Sequence, residues 1–335
     1  MGTFYGHATP GCLLLFLGLW NFRCSVINFL ASPQSFAARV WHPMPLPGHW
    51  ARMQLYAVVG GGGAYMITAF INIFIQSYVL LNSYEHLSAN VVFVLTYAVL
   101  LLHDSTRYLP FPKGTLHVIA SVPYTCAAVM FFFHSTGHNG PIEARYHIFL
   151  VLLLSATALT LLLTAAFPRS FLLDTLSNVG IILQGSWLLV TGASLYGYMQ
   201  PSHCRTDPTD QDYKLICEEH KWEHMGLAFS YVHLAMLICL VLVLAVGFYA
   251  LAALSAPSSS IDFILGTDAR TEGCNPSGAF VASAAASAVV HPWNFEGAEV
   301  GKNGQAMPMA AAVVDVQGEE ASLLGDKERC SVTAV

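Results

Sequence analysis

The sequence predicts an all-α membrane protein: a bundle of seven transmembrane helices followed by a disordered C-terminal tail. Three observations carry this reading. Of 335 residues, 55% are apolar and only 10% charged, against about 25% charged in a soluble domain. The apolar residues gather in blocks of about 20, the length of helix that crosses the hydrocarbon of a bilayer. No block alternates at period two, which leaves helices, whose backbone groups are satisfied internally, as the way to span.

The first block follows GHATPGC and has no basic residues ahead of it and no small-residue cleavage site behind it. It predicts a span at 10–30 that also acts as an uncleaved targeting signal. Gly6 stands where N-myristoylation requires Ser or Thr, so that motif fails. Further spans are expected at 54–76, 87–107, 115–136, 146–167, 174–199 and 225–254. The second contains Gly60, Gly61, Gly62 and Gly63, which lower helix propensity but let helices approach closely. The fourth holds Pro123, which predicts a kink. Residues 1–255 form the transmembrane domain. Residues 256–335, rich in Ala, Ser, Gly and acidic side chains, read as a disordered cytosolic tail.

The formal net charge is −6, and no basic stripe is present, so nucleic-acid binding has no electrostatic footing. The expected partner is the lipid bilayer. Arg23, Arg39, Arg52, Arg107, Lys113 and Arg169 fall on one side of the membrane, and Arg145, Arg205, Lys214 and Lys221 on the other. This bias places the N-terminus in the lumen or outside the cell and the C-terminus in the cytosol, in the endomembrane system or the plasma membrane. Cys204 and Cys217 share a loop on the lumenal side. They are either a candidate disulfide, a bond that persists outside the cytosol, or two unrelated thiols.

Alternating topology gathers seven histidines at one face: His7, His86, His134, His138, His147, His220 and His224. His134 and His138, and likewise His220 and His224, are four residues apart, which puts two imidazoles on one side of a helix. That spacing offers two nitrogens to one metal ion. The expected site holds His134, His138, His220 and His224, with His86 or His147 completing the shell and one position open. The cofactor is zinc or another imidazole-binding transition metal, and Glu85, Glu143, Glu219 and Glu223 orient rings or fill a coordination position. Haem held by histidines on facing helices is a variant that needs pairs buried across the bundle. The opposing reading is that rim histidines are satisfied by water and loop carbonyls.

Gln184 and Trp187 are expected to hydrogen-bond between helices. His233 is read as a satisfied core histidine or a deeper member of the cluster. His103, Asp104 and Arg107 predict a charged patch on the cytosolic side. No nucleophile elbow, P-loop or dinucleotide fingerprint is present, and no catalytic residue is assigned. In the tail, Glu319 stands four residues before Leu323 and Leu324. That is the form of an acidic dileucine signal, which sorting adaptors read as an address.

Taken together, these blocks resemble the transmembrane protein 45 family, in its plant form. GHATPGCLLLFLGLW is similar to that family's opening, and Glu85-His86 to its N-x-E/Q-H segment. His134, Ser135, His138, Gly140, Pro141, Tyr146 and His147 resemble its F-x-x-H-S-x-x-H-x-G-P-x-x-x-x-Y-H block. Pro168-Arg169-Ser170-Phe171, Gln184-Gly185-x-Trp187 and His220-x3-His224 resemble further blocks. The resemblance spans roughly residues 1–250. It implies a multi-pass membrane protein without an established biochemical activity. The glycine run and the His220 pair depart from the wider family pattern.

Two functions follow as expectations. One is a membrane protein whose histidine-rich rim holds a metal, for binding or for hydrolase-type chemistry on a lipid headgroup or acyl amide. The other is a non-enzymatic protein of traffic or of stress and defence signalling, whose histidines are structural or sense pH. A transporter comes third, since broken helices and midplane charges are sparse.

Overall fold

The computed structural model describes residues 4–75, 81–137, 140–206 and 215–266, with only the backbone described for 72–75, 81–85 and 137. Seven long helices make up the body: α1 (Phe4–Ala31), α2 (Met53–Ile75), α3 (Leu81–Ser105), α4 (Thr115–Gly137), α5 (Pro141–Ala166), α6 (Phe171–Tyr196) and α7 (His220–Ala253). All seven are long and apolar enough to cross a membrane, and the protein is an all-α multi-pass membrane protein. Of the stretch expected to be a disordered tail, residues 267–335, with the dileucine residues Glu319, Leu323 and Leu324, lie outside the described residues.

Several helices begin before the predicted spans because a span is bounded by apolar residues, whereas a helix continues through polar turns. α5 is the instructive case. Its sequence reading starts at 146, but Gly140 caps it and Pro141 fills the first helical position, where the missing N–H costs nothing. α6 opens on a side-chain cap, the Leu173 amide donating to Ser170 Oγ at 3.3 Å.

One short helix falls within the stretch read as tail. α8 (Ser258–Leu265) lies beyond residue 255. It is far too short to span, and Ile261 and Ile264 pack with Phe22, Val26 and Val241 of α1 and α7.

Packing follows membrane logic, with polar side chains inside and apolar ones outside. Ser25, Gln54, Thr157, Asp174 and Gln184 are buried, while Leu152, Leu159, Val232, Met236 and Leu244 are exposed. α1 packs most extensively on α6, and α4 on α5. The α1–α6 seam depends on close backbone approach. A Cβ on Gly185 would lie 2.8 Å from the Gly11 carbonyl oxygen, and one on Gly18 2.8 Å from the Ile182 nitrogen. Small residues of this kind are how helices associate where lipid supplies no hydrophobic drive.

Hydrogen bonds join the inner helices. Gln184 Nε2 donates to Thr157 Oγ1 at 2.5 Å and to the Leu153 carbonyl at 3.3 Å, and Trp187 Nε1 donates to the Tyr146 carbonyl at 2.9 Å. Ser25 Oγ donates to Asp174. The Tyr146 hydroxyl pairs with His233 Nδ1 at 2.8 Å, which ties α5 to α7. α7 is otherwise peripheral, with only Gly226, Ser230 and Val241 buried. The predicted patch of His103, Asp104 and Arg107 is rearranged: Asp104 pairs with Arg52 at the start of α2, and His103 Nδ1 bonds the Leu109 carbonyl at 2.6 Å.

The α6–α7 loop forms a two-stranded antiparallel ribbon, β1 (Cys204–Thr206) and β2 (Leu215–Cys217). A disulfide joins Cys204 to Cys217, and they are directly opposed in the ribbon's register.

Candidate metal centre

Four helix ends deliver imidazoles to one place. His7 lies in the second turn of α1, His86 near the start of α3, His134 in the last turn of α4 and His147 in the second turn of α5. Ring centroids are 4.8 Å apart for His134 and His147, 5.4 Å for His86 and His134, 6.1 Å for His7 and His147, and 6.3 Å for His7 and His86. His7, His134 and His147 are at most 4% exposed.

A carboxylate completes the group. Because α5 starts at Pro141, Glu143 and His147 are one turn apart on the same face. One ligand atom from each of His134, Glu143 and His147 lies within 4.8 Å of the others, and all three residues are buried. Burying a carboxylic acid is costly unless it is paired, and Glu143 is 3% exposed. Tyr196, at the end of α6, donates its hydroxyl to Glu143 Oε1 at 2.7 Å, and its ring packs on His7 with centroids 5.3 Å apart.

The tautomer of His147 follows from its partner. Nδ1 lies 2.9 Å from the Glu143 carbonyl. A carbonyl only accepts, so Nδ1 carries the proton and Nε2 keeps its lone pair. This is how metal-binding histidines are normally oriented, one nitrogen anchored and the other presented.

A cavity of about 350 Å³ opens beneath this cluster, lined by residues of α1 to α6. His7, His86 and His147 stand at its polar end, and Leu13, Phe93, Leu150, Leu154 and Gln184 line its walls. Its size is at the lower end for small-molecule sites. The glycine run of α2 borders it: Gly61 and Gly62 are part of the wall, and a Cβ on Gly61 would meet nothing within 4 Å.

The expected ligand set is only partly brought together. His134, His147 and His86 are assembled, while His138 lies outside the described residues. His220 and His224 are exposed at the start of α7 and stack on each other, centroids 4.4 Å apart. His220 faces Glu223 at 3.7 Å, and neither histidine belongs to the metal-competent group found among the described residues. α7 packs on α5 and α6 from outside, which carries its first turn away from the enclosed ring. Sequence reasoning offered Glu143 only as one of four carboxylates that orient rings or fill a coordination position, counted His7 at the rim but not among the ligands, and missed Tyr196. The Glu143-x3-His147 spacing was available as a signal once Pro141 is recognised as a helix start.

No curated protein matches the chain. Residues 113–250, which carry His134, Glu143 and His147 but neither His7 nor His86, match the Family of unknown function (DUF716).

Proposed function

We propose that the protein holds a transition-metal ion, zinc or one of similar preference, at the enclosed end of its bundle, with His134, Glu143 and His147 as ligands. The observation that carries this reading is the convergence of three buried ligand atoms within 4.8 Å. Two imidazoles and one carboxylate form a donor set typical of zinc sites that keep a position open for water or substrate. Tetrahedral bonds of about 2.1 Å separate ligand atoms by about 3.4 Å. His7 and His86 are the reserve ligands, and Tyr196 orients Glu143. A metal here would supply a polarising centre beside an apolar cavity, which suits hydrolase-type chemistry on a lipid-like substrate or metal binding as such.

The resemblance to the transmembrane protein 45 family is compatible with this reading, since it brings no activity of its own. The disulfide Cys204–Cys217 and the Lys/Arg bias support a lumenal or extracellular position for the histidine end, with sorting adaptors reaching the tail from the cytosol.

The test is the metal content of protein purified in detergent without chelators. Wild type carries about one equivalent of zinc or a similar ion per chain. His134→Ala, His147→Ala and Glu143→Gln lose it, and the double variant His220→Ala/His224→Ala keeps it. Wild type without metal, with no uptake after incubation with zinc, rejects the proposal.

A second reading rests on the packing of four imidazoles ring against ring. Protonating two of them would place like charges side by side in a dry site, so the same cluster suits a non-enzymatic pH sensor in traffic or stress signalling. That reading predicts metal-free protein whose stability falls steeply below about pH 6.5.

A further inference from the structure

The cavity under the histidines raises the question of what fills it. It is bounded by six helices and almost wholly apolar, yet it carries two buried polar groups without hydrogen-bond partners among the described residues: Gln184 Oε1 and Thr191 Oγ1. Gln184 is 0% exposed and Thr191 3%. The Gln184 amide nitrogen is committed to Thr157 and the Leu153 carbonyl, so its oxygen is an acceptor that calls for a donor such as water and does not bear on an anion. An unpaired buried hydroxyl is costly, and the Thr191 hydroxyl can donate to an acceptor placed in the cavity.

Charge adds a second constraint. A divalent ion held by neutral His134 and His147 and ionised Glu143 has net charge +1, and a residual charge in a dry site is unfavourable. A monoanionic ligand removes it. An apolar channel with a cationic end and a hydroxyl beside it is complementary to one molecular shape: a single hydrocarbon chain bearing a carboxylate.

We propose that the cavity binds a long-chain fatty carboxylate, its tail between α1, α2, α3 and α5 and its carboxylate against the proposed ion at His147, beside His86 and the Thr191 hydroxyl. The position of the carboxylate rests on the metal reading; that of the tail does not. The glycine run of α2 then has a purpose. Gly61 forms part of the wall that a side chain would fill, whereas Gly60 and Gly63, where a Cβ also meets nothing within 4 Å, do not line the cavity.

The experiment is photo-crosslinking of a diazirine-bearing palmitate to the full chain in phosphatidylcholine vesicles, mapped by mass spectrometry, with metal content read on the same samples. Label is expected on cavity residues such as Leu13, Phe93 and Leu150. Gly61→Leu is expected to reduce it about tenfold, as overpacking does, while Gly60→Leu and Gly63→Leu label like wild type. All three substitutions favour helix, so loss of fold does not explain a difference. Unlabelled palmitate competes, whereas hexadecanol competes about tenfold less well, and Thr191→Val narrows that gap. Label confined to the outer face of α7, or undiminished in Gly61→Leu, overturns the proposal even if metal is bound. Equal competition by hexadecanol overturns the carboxylate assignment. Cavity label in metal-free wild type supports the tail site and rejects the metal centre instead.

Discussion

Tyr196 and Glu143 meet at 2.7 Å, hydroxyl to carboxylate oxygen, across the gap between the end of α6 and the start of α5. The bond engages Oε1 of a carboxylate that is 3% exposed. Groups that hold metal ligands in position are worth about 10–100-fold in affinity. On the proposed metal reading, Tyr196→Phe is therefore expected to keep the metal at saturation but to lower its affinity about tenfold, measured by competition with a chromogenic chelator. Equal affinity in the two proteins would show that the phenol does not orient Glu143.

Acidity should destabilise the protein through His42. His42 lies between α1 and α2, 3% exposed, and neither ring nitrogen has a hydrogen-bond partner among the described residues. Burial, with Arg39 nearby, pulls its pKa down to about 4. The unfolded chain therefore binds a proton at higher pH than the folded one. The folded state keeps full stability above about pH 6.5 and loses it as pH falls towards about 4, by up to about 3 kcal/mol from this residue. His42→Leu should flatten the dependence of the thermal midpoint on pH between 7.5 and 5 without lowering the midpoint at pH 7.5. An unchanged slope would assign the acid sensitivity to the other buried histidines.

The α1–α6 seam should tolerate no side chain at Gly185. A Cβ there would lie 2.8 Å from the Gly11 carbonyl and from the Leu15 Cα, so a larger side chain forces the helices apart. Gly185→Leu should cost about 3 kcal/mol or more, read as an earlier melting midpoint by fluorescence-detected size exclusion. Gly247→Leu, where a Cβ meets nothing within 4 Å, should melt with wild type.

The ribbon provides a test of orientation. The Cys204–Cys217 bond closes a loop of 13 residues, and a bond of that span is worth about 3 kcal/mol. A maleimide-polymer reagent should shift these cysteines only after reduction. In sealed microsomes the ribbon should be shielded from external protease, while a tag after Val335 is digested. The opposite pattern would turn the histidine end to the cytosol.

Most of the architecture was legible because membranes restrict the choice so severely. Apolar blocks of spanning length left few alternatives to helices, and the described residues contain seven such helices. Their ends were harder to read. The polar first turn of α5 lay outside the apolar block, and with it went the alignment of Glu143 under His147. The histidines were countable from sequence, but their grouping was decided by lateral packing: α1, α3, α4 and α5 surround a common space, while α7 stands outside it. Sequence periodicity does not report that order, so His220 and His224 looked equivalent to the others. The cavity was illegible for a similar reason. A row of glycines reads as a weak helix until its neighbours are known.

The pairing of α1 with α6 also bears on biosynthesis. α1 finds its main neighbour, α6, only after four intervening helices have been synthesised. Until then its glycine face meets lipid, and the histidine-lined pocket has no completed wall. A ribosome stalled after α5 would thus leave a chain that is inserted yet unassembled, exposing the surfaces that quality control recognises.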